Sequence, residues 1–404
     1  MNCVTWQTKT LGSLFDIYTG NSINETVKKE KYSNLNSGYN YIATKDIDFD
    51  STINYENGIK IPFEEKNFKI APANTPLLCI EGGSAGRKIG FTNQAVCFVN
   101  KLCAFAQKSN DISTKFLYYF LQSSNFKKAF CDNKTGLIGG VSISKLKQLE
   151  ISFPNLKEQE RIVGILDEVF AGIDVLRQNA VSNLDNAKEL FDSYLDQTFT
   201  QNTETWQLQP LKNLASIKDG DWIEKKDQSP SGIRLIQTGN VGNGFFKDKF
   251  ENARYISENT FKELNCTEIF PDDCLISRLP DPVGRACIVP NLNTKMITAV
   301  DCSIVKFDLS KINPKFFIYY AMSAKYYAKI KSLTTGSTRE RISRKNLETI
   351  TIPLPNLKAQ EQIVSNLNII HEQSKELQSV YERKITLLDE LKQSLLQKAF
   401  RGEL

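Results

Sequence analysis

Histidine is almost absent from this sequence. Its 404 residues include a single histidine, His371, which lies within a helical pattern. The globular parts of the chain can therefore form no Ser–His or Cys–His pair for nucleophilic catalysis. The nine cysteines are scattered and none forms a Cys-x-x-Cys pair, whereas a structural zinc site normally needs cysteine or histidine pairs at close spacing. We expect no metal site.

Long apolar runs are missing as well. No stretch reaches the roughly 18–20 apolar residues of a membrane span, and the first residues, MNCVTWQTKT, lack the apolar core of a secretory signal. We therefore expect a cytoplasmic chain, with no membrane contact and with reduced thiols. Six of these thiols lie in apolar, strand-like runs and are predicted to be buried: Cys79, Cys97, Cys103, Cys274, Cys287 and Cys302.

Motifs for phosphate or cofactor chemistry are also lacking. The glycine-rich stretch EGGSAGRKIG, residues 81–90, does not contain the Gly-Lys-Ser/Thr of a phosphate-binding loop. NPKF, residues 313–316, lacks the second proline that an amino-methyltransferase motif would need. We expect no cofactor and no catalysis by the chain itself.

The sequence contains a long internal repeat. FPNLKEQERIV ends at Val163, and LPNLKAQEQIV ends at Val364, 201 positions later. Other matches keep the same order along both halves: Trp6, Leu11, Leu14, Ile17 and Gly20 correspond to Trp206, Leu211, Leu214, Ile217 and Gly220, and Gly86-Arg87 corresponds to Gly284-Arg285. A period this large indicates two similar domains rather than a solenoid.

Each repeat begins with a mixed domain and ends with a long helix. Short runs rich in aromatic and β-branched residues predict strands. One helix follows, with its N-cap at Ser113 or Asn313, and a last strand ends at a proline. Beyond it, apolar residues recur at steps of three and four, as in a coiled-coil seam. The predicted seams are Ile162, Leu166, Val169, Ile173, Leu176, Ala180, Leu184, Ala187, Phe191 and Tyr194, and Ile363, Leu367, Ile370, Ser374, Leu377, Tyr381, Ile385, Leu388, Leu391 and Leu395.

Two such helices in one chain can cover each other's seam. Because a whole domain separates them, we predict an antiparallel intramolecular coiled coil, with the two domains related by a pseudo-twofold. Parallel pairing between two chains is the alternative. The predicted fold is α+β, with tandem mixed α/β domains at residues 1–153 and 202–355 and spacer helices at 154–201 and 356–404.

Net positive charge is confined to the two mixed domains. Residues 1–153 carry 18 Lys+Arg against 13 Asp+Glu, and residues 202–355 carry 22 against 17, so each has a net charge of +5. Residues 154–201 carry 4 against 9, a net charge of −5. Basic domains are typical of polyanion binders, and a helical rod fixes the distance between two DNA-reading modules. Since the domains differ in sequence, we infer an asymmetric bipartite DNA target.

Candidate DNA-contacting residues lie in loops of the basic domains. Arginine can bind guanine and asparagine can bind adenine through two hydrogen bonds, whereas threonine and lysine mainly hold phosphates. Arg339 and Arg341 are the foremost candidates, because alternate residues of an extended segment point the same way. For any single candidate the alternative is a solvated surface charge. The full set is Thr44, Lys45, Arg87, Lys88, Lys134, Thr238, Asn240, Arg278, Arg285, Thr338, Arg339, Arg341 and Arg344.

The order of basic domain, PNLKEQERIV, long helix, basic domain, PNLKAQEQIV and long helix resembles the specificity subunit of type I restriction–modification systems over nearly all of the chain. The resemblance implies two target recognition domains, each reading one half of a split double-stranded DNA sequence. It implies spacer helices that dock two methyltransferase subunits, in a non-catalytic subunit of an adenine-specific DNA methyltransferase. Restriction subunits, with translocase and nuclease activity, can join that core to give the type I endonuclease. The matching helix-start positions are Gln159, Glu160, Ile162 and Val163, and Gln360, Glu361, Ile363 and Val364.

The first part of the first long helix is acidic. Its carboxylates would repel DNA phosphates, so this surface suits a protein partner; the alternative is a solvated face. These carboxylates belong to Glu158, Glu160, Asp167, Glu168 and Asp174. Together with the family motif, they predict the residues that contact the methyltransferase subunits: Gln159, Glu160, Asp167, Gln360 and Glu361.

Two other functions are consistent with the sequence. One is a stand-alone, sequence-specific DNA-binding regulator, which strong DNA binding by the chain alone would favour. The other is a coiled-coil scaffold that binds no DNA, which salt-independent behaviour towards DNA would favour. The sequence contains no code for the half-sites or the spacer length, and it leaves open whether a restriction subunit accompanies the complex.

Overall fold

The structure, a computed structural model, describes residues 5–135, 139–201, 205–336 and 340–404. Contacts within the chain divide it into two units. Unit 1 consists of Met1–Ala180 and Arg383–Leu404, and unit 2 is Val181–Glu382. Each unit therefore contains one mixed domain and a part of both long helices. No helix in the described part of the chain is both long enough and apolar enough to cross a membrane.

Unit 1 contains ten strands among its described residues: β1 Gln7–Thr10, β2 Phe15–Thr19, β3 Tyr39–Ile42, β4 Lys60–Ile61, β5 Ile70–Ala71, β6 Pro76–Cys79, β7 Ile89–Phe91, β8 Val96–Phe98, β9 Leu102–Gln107 and β10 Glu150–Phe153. One antiparallel sheet has the order β2-β9-β6-β7. A second has the order β4-β3-β8-β5, with β3 and β8 parallel. The last strand, β10, pairs with the first, β1.

The helices of the unit 1 domain are α1 Leu11–Leu14, α2 Glu25–Lys31, α3 Thr114–Gln122, α4 Ser124–Asp132 and α5 Ile143–Gln148. The first long helix, α6, runs from Leu156 to Thr200 and passes from unit 1 into unit 2.

Unit 2 repeats this scheme with β11 Gln207–Pro210, β12 Ala215–Asp219, β13 Gln228–Ser229, β14 Ile233–Ile236, β15 Arg254–Ile256, β16 Glu268–Ile269, β17 Cys274–Ser277, β18 Ala286–Ile288, β19 Met296–Thr298, β20 Cys302–Phe307 and β21 Thr351–Leu354. Its sheets have the orders β12-β20-β17-β18 and β13-β15-β14-β19-β16, and β11 pairs with β21. Its helices are α7 Glu258–Glu263, α8 Pro314–Met322, α9 Ala324–Leu333 and α10 Arg344–Thr349. The second long helix, α11, is Leu357–Ala399.

The single helix predicted within each domain is wrong, because a serine divides it in two. Ser123 has extended backbone angles, and its hydroxyl accepts the Phe126 amide and donates to the Phe120 carbonyl. Ser323 does the same between α8 and α9. Each serine therefore ends one helix and caps the next. The predicted N-caps, Ser113 and Asn313, are confirmed.

The long helices pair antiparallel within each unit, as predicted. In unit 1, Arg177 of α6 is bonded to Asp389 of α11 at 2.9 Å, and Asp174 to Lys392 at 3.1 Å. Since one partner number rises as the other falls, the helices run in opposite directions. In unit 2 the Ser374 hydroxyl donates to the Ala187 carbonyl at 2.6 Å. Small side chains at both positions allow that close approach.

The predicted seam is only partly right. Ile162, Leu166 and Ile173 are buried as expected, but Leu176 is 47% exposed, and Leu377 and Leu391 are exposed too. Buried residues one position away were missed, including Phe170 and Leu396. The reason is that the helix ends pack against the mixed domains as well as against each other, so the buried face is wider than a coiled-coil seam.

The core of each domain is completed by the end of a long helix. In unit 1 the Phe400 ring, just beyond α11, lies 5.1 Å from Phe116 and 5.5 Å from Phe120. In unit 2 Phe199, at the end of α6, lies 5.5 Å from Phe316, and Tyr320 is also in contact. The N-terminal domain thus depends on the last residues of the chain for its core.

The six cysteines predicted to be buried thiols are all buried and free. Burial raises the pKa of Cys97 and Cys103 to about 12, and that of Cys287 likewise to about 12. These thiols are therefore protonated, inert core groups at neutral pH.

We predict that Leu396→Ala destabilises unit 1 selectively. Leu396 is fully buried in the unit 1 core, and removing a buried leucine side chain costs about 2–5 kcal/mol of unfolding free energy. Hydrogen exchange followed by mass spectrometry should show lost protection in β9 and α3, while β20 and α8 of unit 2 stay protected. Leu391→Ala, at an exposed site on the same helix, is the control. Equal effects of the two variants would contradict this account of the core.

Candidate nucleic-acid interface

In each unit, one buried glutamine joins the mixed domain to the long helix that follows it in sequence. The Gln159 side-chain oxygen accepts the Ser113 amide at 2.9 Å, and its nitrogen donates to the carbonyls of Asp111 and Pro154. Gln360 makes the same three bonds, to the backbone of Asn313, Lys311 and Pro355. Both side chains are fully buried. The prediction that Gln159 and Gln360 contact a partner is therefore corrected: they fix the start of each helix against its own domain.

The other predicted partner contacts lie at the surface. Glu160 and Glu361 are exposed, so their assignment stays a prediction. Asp167 is exposed too, but it accepts a hydrogen bond from Tyr119 and forms an ion pair with Lys115 at 3.3 Å. Its carboxylate is thus already engaged inside unit 1.

In unit 1 the predicted DNA contacts surround a short hairpin. Residues Thr44–Asp46 form a 3-10 helix after β3, and the chain turns back between Ile47 and Ile53. Lys45 and Arg87 are exposed, while Thr44 and Lys88 are half-buried. Lys88 donates to the Thr44 carbonyl at 3.1 Å. The structure therefore brings these four predicted residues together on one surface of unit 1.

An exposed phenylalanine at this hairpin was missed by the sequence argument. Phe49 is 61% exposed, with the Arg87 guanidinium 4.8 Å and the Lys88 ammonium 5.1 Å from its ring centre. Phe245 occupies the corresponding hairpin of unit 2, where Lys247 lies 5.5 Å from its ring. The available signal was an aromatic residue in a Gly- or Asp-rich loop a few residues after a strand. Flat rings with a cation on one face can stack on bases.

The remaining unit 1 candidate, Lys134, is exposed and lies over the Phe130 ring at 5.7 Å. In unit 2 the corresponding segment carries the predicted residues Thr338 and Arg339, which lie outside the described residues.

Three predicted contacts of unit 2 are corrected by their burial. Arg285 donates its guanidinium hydrogens to four backbone carbonyls, and only 6% of the residue is exposed. Those carbonyls belong to Thr238, Val241, Leu279 and Pro282. Asn240 is also buried; its side chain accepts the Gln237 amide and donates to the Lys247 carbonyl. Arg285 and Asn240 therefore hold the hairpin in place, and Thr238, half-buried, contributes its carbonyl.

The third correction is Arg278, which is 5% exposed. It donates to the Val300 carbonyl and lies 3.2 Å from the Asp219 carboxylate. Burial lowers the pKa of its guanidinium, although Asp219 opposes that shift. A side chain held this deeply does not reach DNA directly.

Two predicted arginines of unit 2 are exposed, and both face carboxylates. Arg341 forms an ion pair with Asp301 at 3.0 Å. Arg344 lies 3.6 Å from Asp219 and 3.4 Å from Glu348. Both side chains are nearly half exposed, so they stay available to a phosphate or a base edge.

A cleft of about 630 Å³ in unit 1 lies between the hairpin and the helix pair. Its lining alternates basic and acidic side chains: Arg87, Lys127, Arg177 and Lys392 against Asp48, Asp50, Asp174 and Asp389. The four acidic side chains balance the four basic ones, and two of the carboxylates are already paired, Asp174 with Lys392 and Asp389 with Arg177. The cleft therefore offers no excess positive charge to a DNA backbone.

Within 5–135, 139–201, 205–336 and 340–404, no group of three His, Cys, Asp or Glu side chains is arranged to hold a metal ion.

We predict that Gln159→Ala lowers stability by at least about 2 kcal/mol, because it leaves three buried backbone groups without their hydrogen-bond partner. Glu160→Ala, at the next position and exposed, should change stability by less than about 0.5 kcal/mol. Chemical denaturation of both variants measures the difference. A Gln159→Ala protein of normal stability that failed to bind a partner would restore the original assignment of Gln159.

Comparison with known proteins identifies the family of the chain. Residues 3–181 and 203–384 match the sequence profile of the type I restriction modification DNA specificity domain. The type I restriction enzyme MjaVIII specificity subunit of Methanocaldococcus jannaschii is 22% identical, over 95% of this chain and 91% of that protein.

Two solved structures share the fold. A chain from a solved type I R-M system superposes with a TM-score of 0.76 at 18% identity, covering 99% of this chain and 98% of the other. The HsdS subunit from Thermoanaerobacter tengcongensis gives a TM-score of 0.63 at 18% identity, covering 99% and 97%. Since the profile matches both repeats and most of the sequence, the chain belongs to the family of type I restriction modification DNA specificity domains.

Proposed function

We propose that this chain is the DNA specificity subunit of a type I restriction–modification complex, and that each unit reads one half of an asymmetric bipartite target in double-stranded DNA. One observation carries the proposal. The two units share a scaffold down to the buried glutamines Gln159 and Gln360, yet they expose different groups at equivalent loops.

The clearest difference concerns the paired Gly-Arg motifs. Arg87 of unit 1 is exposed on Phe49, whereas its counterpart Arg285 is buried among carbonyls. Unit 2 instead exposes Arg341 and Arg344. Different hydrogen-bond donors on one scaffold select different bases, which supports two unlike half-sites.

The long helices have two functions in this proposal: they set the spacing of the half-sites and they dock two methyltransferase subunits. The complex methylates adenine through those subunits, while this chain supplies sequence recognition and no catalytic group. Restriction subunits join the same core when the system cleaves DNA.

Exposed apolar side chains on the helices support docking of a protein there. In unit 1, Val175 is 58% exposed and Leu391 is 46% exposed. The antiparallel register set by the ion pairs Asp174–Lys392 and Arg177–Asp389 puts both at the same level of the helix pair. Apolar side chains gain nothing from DNA phosphates, whereas a protein surface can bury them.

We predict that modified-base mapping of a methylation-free host will reveal a split, asymmetric motif when this chain is expressed with the methyltransferase subunit from its own locus. Hosts lacking either component should show no motif, because recognition and catalysis reside in different subunits. A soluble complex that co-purifies but modifies no motif would contradict the proposal.

We also predict that Val175→Asp combined with Leu391→Asp weakens association with the methyltransferase subunit by about tenfold or more, since each change places a charge in the buried part of an interface. Val27→Asp, at an exposed valine of α2, is the matched control. Titration calorimetry or co-purification measures the association. Unchanged binding by the double variant would remove this surface from the docking site.

A further inference from the structure

Five charged side chains converge in unit 2, and we call them the unit 2 charge cluster: Asp219, Arg278, Asp301, Arg341 and Arg344. Asp219 lies between the buried Arg278, at 3.2 Å, and the exposed Arg344, at 3.6 Å. Asp301 holds Arg341 at 3.0 Å.

The backbone ties the same groups together. The Arg278 amide donates to the Asp301 carbonyl at 2.8 Å, and the Ile342 amide donates to the Arg278 carbonyl at 3.2 Å. The backbone of residue 278 therefore keeps Asp301 and the segment that carries Arg341 next to each other, beside the Arg278 side chain.

The repeat shows which part of this arrangement the fold requires. Asp219 pairs with Ser303 as Thr19 pairs with Cys103. The backbone hydrogen bond from the Arg278 amide to the Asp301 carbonyl is matched by one from the Ile80 amide to the Lys101 carbonyl. The β-bridge between Thr335 and Arg341 corresponds to the bridge between Thr135 and Gly140, so Gly140 is the counterpart of Arg341. Helices α5 and α10 begin at Ile143 and Arg344, so these two residues are counterparts as well.

Unit 1 thus builds the same fold with Thr19, Ile80, Lys101, Gly140 and Ile143 at these five positions, of which only Lys101 is charged. The unit 2 charge cluster is not needed for the scaffold. It also buries a guanidinium, which carries a desolvation cost. Because the cluster costs desolvation free energy and the scaffold does not require it, we attribute it to the function of unit 2.

We infer that the unit 2 charge cluster determines the base preference of the half-site read by unit 2, with Arg341 contacting a guanine and Asp301 positioning Arg341. This inference rests on the proposed function. A carboxylate that holds one edge of a guanidinium limits its rotamers and leaves the other edge free, so less conformational entropy is lost when it binds a base. A bidentate arginine–guanine pair gives about 5- to 150-fold discrimination against other bases.

An exposed arginine can also contact a phosphate instead of a base. A substitution of Arg341 by lysine distinguishes these two contacts. Lysine keeps the positive charge but loses the planar, rigid fork that Asp301 can hold on one edge while the other edge binds guanine. Arg341→Lys should therefore preserve phosphate binding and weaken base reading.

The experiment maps modified bases in a methylation-free host that expresses the complete complex with wild-type chain, Arg341→Lys, Asp301→Ala or Glu258→Gln. Glu258 forms an exposed ion pair with Lys295 elsewhere in unit 2, at 3.3 Å, and serves as the control. Affinity of each purified complex for an oligonucleotide carrying the motif, and for one changed at a single base pair, is measured in parallel at several salt concentrations.

We expect Arg341→Lys and Asp301→Ala to relax the same guanine position, in one half-site alone, with discrimination falling about 5- to 150-fold, while the other half-site stays sharp. Glu258→Gln should leave the motif unchanged. If Arg341→Lys keeps a sharp motif, Arg341 binds phosphate and the inference is overturned. If Asp301→Ala binds DNA more tightly without relaxing any position, Asp301 is only a competing counter-ion, which also overturns it. A wild-type complex without a split motif would instead refute the proposed function.

Discussion

The aromatic contact between each mixed domain and the end of a long helix is the constraint on which the structure depends. Phe400 packs on Phe116 and Phe120 in unit 1, and Phe199 packs on Phe316 and Tyr320 in unit 2. The helix that follows a domain in sequence begins against that domain but does not complete its core. Completion comes from the other helix. Unit 1 is therefore a discontinuous assembly of the first and last parts of the chain, and the antiparallel pairing follows from that requirement.

The duplication separates residues that maintain the fold from residues that serve recognition. Gln159 and Gln360 make the same three backbone bonds, and Ser123 and Ser323 break their helices in the same way. Such pairs repeat because both domains meet the same packing problem. Arg341 has no charged counterpart, since the equivalent residue is Gly140. Residues that repeat in both units are thus attributable to folding. Surface residues that differ between the units are available for reading different DNA sequences.

The repeat, the long helices and the caps at Ser113 and Asn313 could be predicted because each depends on local sequence patterns. The division at Ser123 could not, because a serine in a helical pattern becomes a cap only when its neighbours are better buried in two short helices. The sequence also could not predict that Arg87 is exposed while Arg285 is buried. Both follow a glycine in equivalent loops, yet two of the four carbonyls that bury Arg285, those of Thr238 and Val241, come from a segment distant in sequence. The distribution of charge along the sequence identified the basic domains. Only the tertiary contacts distinguished a buried arginine from one exposed at the surface.

The exposed arginines of the two units are held by different contacts, and this changes how each half-site would be read in the proposed complex. In unit 1 the available guanidinium, Arg87, rests on the face of Phe49, a weak and non-directional contact that lets it rotate. In unit 2 Arg341 is held by a carboxylate, a directional contact that fixes its orientation. An arginine free to turn favours phosphate or adaptable contacts, whereas a fixed one favours a single base edge. The two units of one scaffold would then differ in the rigidity of the side chains they present, as well as in the identity of those side chains.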